Sequence, residues 1–164
     1  MAWHIGCSPT SFGNIIRYWD ANGYPNLVQS TTSDNTLIDV LATNMNTNRT
    51  TGATGWNDRV TGMRTFWTNR NYSVSVSRVS ASYTTHKSEI DNSRPNIINV
   101  VNDPTYSNHD MTGVGYEQYQ RSDQSFKWHR FVIVHDTWTS THKNIYLNLE
   151  GFSSWNEIVT VKPN

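Results

Sequence analysis

Cysteine is almost absent from this sequence: Cys7 stands alone among 164 residues. No disulfide can close within the chain, and no multi-cysteine zinc site can form. A charge surplus is missing as well, because thirteen Lys and Arg balance thirteen Asp and Glu. Without a long run of one sign, nucleic acid and anionic membrane surfaces are not expected partners. There is no apolar stretch of about 18 residues to span a bilayer and no basic-then-apolar leader, so any export signal is expected to have been removed or to lie upstream. Charged residues make up only 16% of the chain, and Asn, Thr and Ser supply much of its polarity. That composition is expected of a secreted or cell-surface bacterial protein, present as a processed or excised domain.

What the chain does have is aromatic bulk, with seven Trp in a hydrophobic fraction of only 35%. Burial is therefore concentrated in large rings. The length suits one domain, residues 1–164, around a single core. Phe12, Ile15, Ile16 and Trp19 recur at helical spacing between Ser8 and Ala21, with Pro9 tolerated in the first turn and Gly23 as a stop signal. "DNTLIDVLATNM" from Asp34 and "GWNDRVTGMRTFWTNR" from Gly55 read as two further helices, the latter with Val60, Met63, Phe66 and Trp67 on one face. From Tyr72 the texture changes to period two in "YSVSVSRVS". "THKSEIDNS" reads as a short helix, "PNIINVVN" as a mostly buried strand, and "HDMTGVGYEQY", "KWHRFVIVHDTW", "NIYLNL" and "EIVTVK" as four more strands. The expected class is α+β, with N-terminal helices packed on a C-terminal antiparallel sheet.

A thiol at a helix start faces backbone N–H groups whose partial positive charge favours the thiolate. Cys7 is placed for that, although a lone Cys more often serves as a small buried hydrophobe. A nucleophilic thiol needs a base, and the base an orienter. "SNHDMTGVGY" offers His109 at a strand start, and "FVIVHDTW" offers His135 and Asp136 where another strand leaves the core. His129 and His135 fall on one strand face, but no third ligand stands at suitable spacing, so no metal is expected. His4, His86 and His142 read as surface residues. The aromatic residues of "RYWDANGY" and "RTFWTNRNY" read as core, whereas Trp138, just past Asp136, reads as a cleft wall.

"GCSPTSFGNIIRYWDANGYPNL", "NHDMTGVGY" and "FVIVHDTW", in that order, resemble the Cys, His and Asp boxes of papain-fold cysteine peptidases related to the double-glycine leader peptidases of bacteriocin exporters. The resemblance brackets most of the chain. It implies a papain-like fold, Cys7 as nucleophile, His109 as general base, Asp136 as its orienter, a peptide or protein substrate and no cofactor. His109 follows Cys7 by roughly a hundred residues, fewer than the ~130–150 of papain itself, which implies a compact variant. Ser8, Asn108 and Thr137 stand where the family has Gly, Gly and Pro. "MAWHIG" has no Gln before the Cys to supply the oxyanion donor, a loss worth ~100- to 1000-fold in rate. His4 and the Trp3 indole are the candidate substitutes. The same triad could serve an amidase or transamidase. A domain that has lost activity and holds a peptide or cell-wall ligand in its cleft is the alternative to the enzyme.

Overall fold

The spacing of Phe12, Ile15 and Ile16 becomes the inner face of helix α1 (Cys7–Ala21), where all three are fully buried. The computed structural model describes residues 6–164. Two more helices follow, α2 (Asp34–Asn44) and α3 (Trp56–Thr68). Ser33 caps α2 by accepting the Thr36 N–H on its hydroxyl, which satisfies one of the amides a helix start leaves unpaired. The remaining elements are β1 (Val74–Ser80), α4 (Tyr83–Asp91), β2 (Asn96–Asp103), β3 (Ser107–Arg121), β4 (Lys127–His135), β5 (Ile145–Asn148) and β6 (Trp155–Pro163). The strands form one sheet in the order β1-β6-β2-β3-β4-β5, and every pairing is antiparallel. This is the mixed architecture of helices and antiparallel sheet that the change of period at Tyr72 predicts.

Strand β2 lies inside the sheet between β6 and β3, with Ile97 opposite Val159 and Ile98 opposite Ile158. Alternate residues face opposite sides, so Ile97 and Val159 join the core under α1–α3. Ile98 and Ile158 join a second core with Val100, Met111, Val132, Val134 and Leu147. Burial on both faces explains why "NIINVV" is nearly continuous in apolar residues. The aromatic residues at the ends of α1 and α3 build an edge-to-face cluster in which Tyr24 meets Trp19, Trp67 and Tyr72 at ring-centroid distances of 5.8, 5.1 and 5.2 Å. Trp67 is fully buried, and Trp19, Tyr24 and Tyr72 pack on the core.

His86 corrects the surface reading. It is fully buried, because α4 packs against the middle of the sheet. Its Nε2 donates to the Gly115 carbonyl at 2.8 Å, and its Nδ1 lies 3.1 Å from the Asn96 side chain. Burial holds its pKa below the ordinary imidazole value, so the ring is neutral.

Candidate active site

The helix start is shaped by a residue with no side chain. Gly6 precedes α1 at φ 82°, a left-handed conformation that favours glycine. A Cβ there would also lie 2.1 Å from the Gly52 carbonyl oxygen. The 48–54 loop can therefore seat against the first turn, braced by Asn48, whose Oδ1 accepts the Thr50 and Thr51 N–H groups. Gly6→Ala meets both obstacles at once and should displace this loop. We expect a loss of about 2 kcal/mol or more, read by urea denaturation; an unchanged midpoint would refute the close packing.

Among the described residues no side chain caps α1, and no acidic residue of the helix itself stands in its first turn, so its own sequence does not offset the positive end of the helix. Cys7 is a half-buried free thiol at that end. Pro9 has no N–H, which leaves the Cys7 and Ser8 amides as the helix-end donors of the turn. The Asp110 N–H donates to Cys7 Sγ at 3.4 Å. Trp3 and His4, the oxyanion candidates, lie outside the described residues.

His109 opens the inner part of β3 and lines a cleft of about 460 Å³ together with Cys7 and Asn108. Thr51–Thr54 and Trp56 form another of its sides. The ring lies parallel to Tyr106 at 5.5 Å and tilted against Trp138 at 5.7 Å. Its Nε2 lies 2.6 Å from the Asp136 carbonyl oxygen. A carbonyl only accepts, so Nε2 carries the hydrogen, and in the neutral ring Nδ1 is the unprotonated nitrogen. Burial alone would lower the His109 pKa, but the Cys7 hydrogen bond, the Asp136 carbonyl and the charges of Cys7 and Asp110 outweigh it and hold the group above its ordinary value.

Asp136 meets His109 in a way the resemblance does not imply. Its backbone, not its carboxylate, meets the imidazole. Oδ1 accepts the Trp138 N–H at 3.0 Å and the Thr141 hydroxyl at 2.7 Å, and Oδ2 accepts the Tyr106 hydroxyl at 3.2 Å. The physical reason is the next residue: Thr137 sits at φ 69°, strained for a β-branched side chain. A proline, the family's residue there, cannot adopt that angle. This turn folds the carboxylate back onto the 138–141 loop. The Tyr106 pKa is pushed up to about 12, first by burial and then by the charge and hydrogen bond of Asp136. It stays a phenol and a donor.

Sequence reasoning passed over Tyr106 and a buried charge cluster beneath the cleft. The Asp110 carboxylate accepts from Ser8 Oγ at 2.5 Å, from Asn99 Nδ2 at 2.8 Å and from Arg59 Nη1. Arg59 also pairs through Nη2 with Glu157, which holds Arg78 at 2.8 Å. Arg59 and Asp110 are each 2% exposed. The signal that could have found them is polarity at positions where a half-buried strand and an amphipathic helix face the core.

Trp138 is 41% exposed and packs on Tyr106 at 4.8 Å. His135 and His129 do not converge: His135 meets Asn144 at 3.1 Å, and His129 meets Glu150 at 3.4 Å and stacks on Tyr119. Among the described residues no group of three His, Cys, Asp or Glu side chains could hold a metal ion, and no helix is long and apolar enough to cross a membrane.

No curated protein and no solved structure matches the chain. The profile of one family matches residues 1–163, nearly the whole chain and all three boxes. With a lone Cys at a helix start and a His in the same cleft, this chain belongs to the Peptidase_C39 like family, whose name marks a cysteine-peptidase type of function and a peptide or protein substrate.

Proposed function

We propose that the chain is a papain-like cysteine peptidase, akin to the enzymes that remove double-glycine leaders, with Cys7 as nucleophile and His109 as general base. What supports this most is that Cys7, at the start of α1, lines the same cleft as a His109 ring whose Nε2 hydrogen goes to the Asp136 carbonyl. In this reading Cys7 Sγ attacks the scissile carbonyl and its proton resides on His109 Nδ1. The tetrahedral oxyanion takes the Cys7 backbone N–H as one donor. His109 then protonates the leaving amine as the C–N bond breaks. Water, deprotonated by the same ring, hydrolyses the thioester and regenerates the thiol. Acid quenching during turnover of a peptide library should trap an acyl group on Cys7 by mass spectrometry. Turnover with no Cys7 adduct would exclude the mechanism.

Because the contact with His109 is a backbone carbonyl, Asp136→Asn should keep kcat within about tenfold of wild type, the amide oxygen still accepting the Trp138 N–H. A loss like the ~10⁴-fold of a true orienting carboxylate would show that the carboxylate turns onto the ring during catalysis.

The raised His109 pKa also sets a pH window. The imidazolium that partners the thiolate persists above the ordinary value of about 6.5, so the alkaline fall of kcat/KM should be centred above that pH. The sign for stability is the same: the contribution is fully present below the unfolded value and is lost as pH rises through the folded one. A fall centred below about 6.5 would contradict it.

A further inference from the structure

We propose that Asp110, locked in place by Arg59, is a positioning residue for the reaction: it grips the first turn of α1 so that Cys7 and His109 stay in register, and it fixes a negative charge beside the imidazole. This rests on the Cys7–His109 reading above. Three polar groups of Asp110 meet one helix, while Oδ1 is held by Arg59 and Asn99. Its N–H donates to Cys7 Sγ, its carboxylate accepts from Ser8 Oγ, and its carbonyl accepts from Ser11 Oγ at 2.8 Å. The residue that follows the base in sequence therefore holds the nucleophile, its neighbour and the next turn of the helix. A shift of β3 against α1 breaks all three bonds together. A misplacement of about 1 Å in such a site can cost on the order of 100-fold in rate.

Stability alone does not explain the cluster. Replacing a buried ion pair by well-packed apolar groups is often neutral or stabilising, and here the buried Arg59 Nε has no hydrogen-bond partner among the described residues. What the pair does achieve is a single orientation. Arg59 and Asn99 hold Asp110 Oδ1, Ser8 holds Oδ2, and Glu157 holds the far side of Arg59. The titratable groups facing His109 are Cys7 from α1, Tyr106 ahead of β3, Asp110 beside it and Asp136 after β4. Tyr106 stays neutral, and the Asp136 carboxylate is tied to the 138–141 loop and Tyr106. Asp110 is thus the carboxylate held between the nucleophile's helix and the ring's own strand.

The test compares wild type with Asp110→Asn and Ser8→Ala. It measures the thermal midpoint, kcat and KM on a peptide library, the His109 ring titration by NMR and the rate of Cys7 alkylation by iodoacetamide. Folded Asp110→Asn should move the His109 midpoint to lower pH and lower kcat about tenfold or more with KM nearly unchanged. Ser8→Ala, which removes one tether and no charge, should lower kcat and the alkylation rate about threefold or more while leaving the His109 midpoint in place. A folded Asp110→Asn protein with unaltered His109 midpoint and kcat overturns the proposal. If Asp110→Asn does not fold, Ser8→Ala decides: slower alkylation at an unchanged thermal midpoint supports the tether, and an unchanged rate overturns it. Should wild type show no Cys7-dependent turnover, the peptidase reading fails, and the NMR midpoint and alkylation rate still decide the role of Asp110.

Discussion

Cys7→Ala is expected to abolish turnover, by about 10⁴-fold or more, because in the proposed mechanism the thiol sulfur forms the covalent bond. Cys7→Ser should lose most of the activity, since a hydroxyl is a far weaker nucleophile with an imidazole base. His109→Ala should be nearly as damaging as Cys7→Ala, and the double variant little worse than either, because the two act as one unit. Folding should hardly respond to loss of the thiol: Cys7 is half-buried beside the cleft, and a change within about 1 kcal/mol is expected. An inactive binding domain predicts another pattern. Ligand retention would survive Cys7→Ala, and the exposed Trp138, tilted against the His109 ring, would carry the larger loss on truncation. Turnover and ligand retention measured on the same proteins separate the two; activity that survives Cys7→Ala rules out the thiol mechanism.

The elements with strong periodicity were legible before any coordinates. Phe12, Ile15 and Ile16 predict the buried face of α1 because three- and four-residue spacing has one physical meaning on a helix. The alternation after Tyr72 predicts β1 for the same kind of reason. Less legible was β3, which runs from Ser107 to Arg121. Its register against β4 shifts between Gly113 and Gly115, and an extra residue reverses which side chains face which layer. His86 does not read as buried in the sequence because a nine-residue helix such as α4 carries too little pattern to reveal that it packs on the sheet.

At the site, the sequence points to residues better than to the atoms that act. Cys7, His109 and Asp136 are what the resemblance of the three ordered boxes implies, and the structure brings the first two to one cleft. Which atom of Asp136 meets the ring depends on the positive φ of Thr137, and no side-chain pattern encodes that angle. Asp110 stands next to His109 in plain view, yet a carboxylate at a strand start reads as a solvated residue. Its meaning depends on Arg59, 51 residues earlier, and only tertiary pairing brings the two charges together.

That dependence makes Arg59→Ala the variant with the largest expected loss of stability. Its side chain is buried and pairs with two carboxylates from different strands, Asp110 in β3 and Glu157 in β6. Truncation leaves Asp110 buried and without its cation, and Glu157 dependent on the partly exposed Arg78 alone. It also removes a side chain from the fully buried set, so a cavity term adds to the electrostatic one. Breaking a buried pair from one side costs about 3–5 kcal/mol, a large fraction of the 5–15 kcal/mol typical of a domain. Arg59→Lys keeps the charge but not the fork that reaches both acids, and should recover part of the loss. Arg59→Met combined with Asp110→Asn and Glu157→Gln leaves no uncompensated carboxylate and should be more stable than Arg59→Ala alone. Urea denaturation of the four proteins tests this ordering. An Arg59→Ala protein within about 1 kcal/mol of wild type would mean that Asp110 and Glu157 reach solvent or other cations without it, and that the cluster is not what joins α3 to the sheet below the cleft.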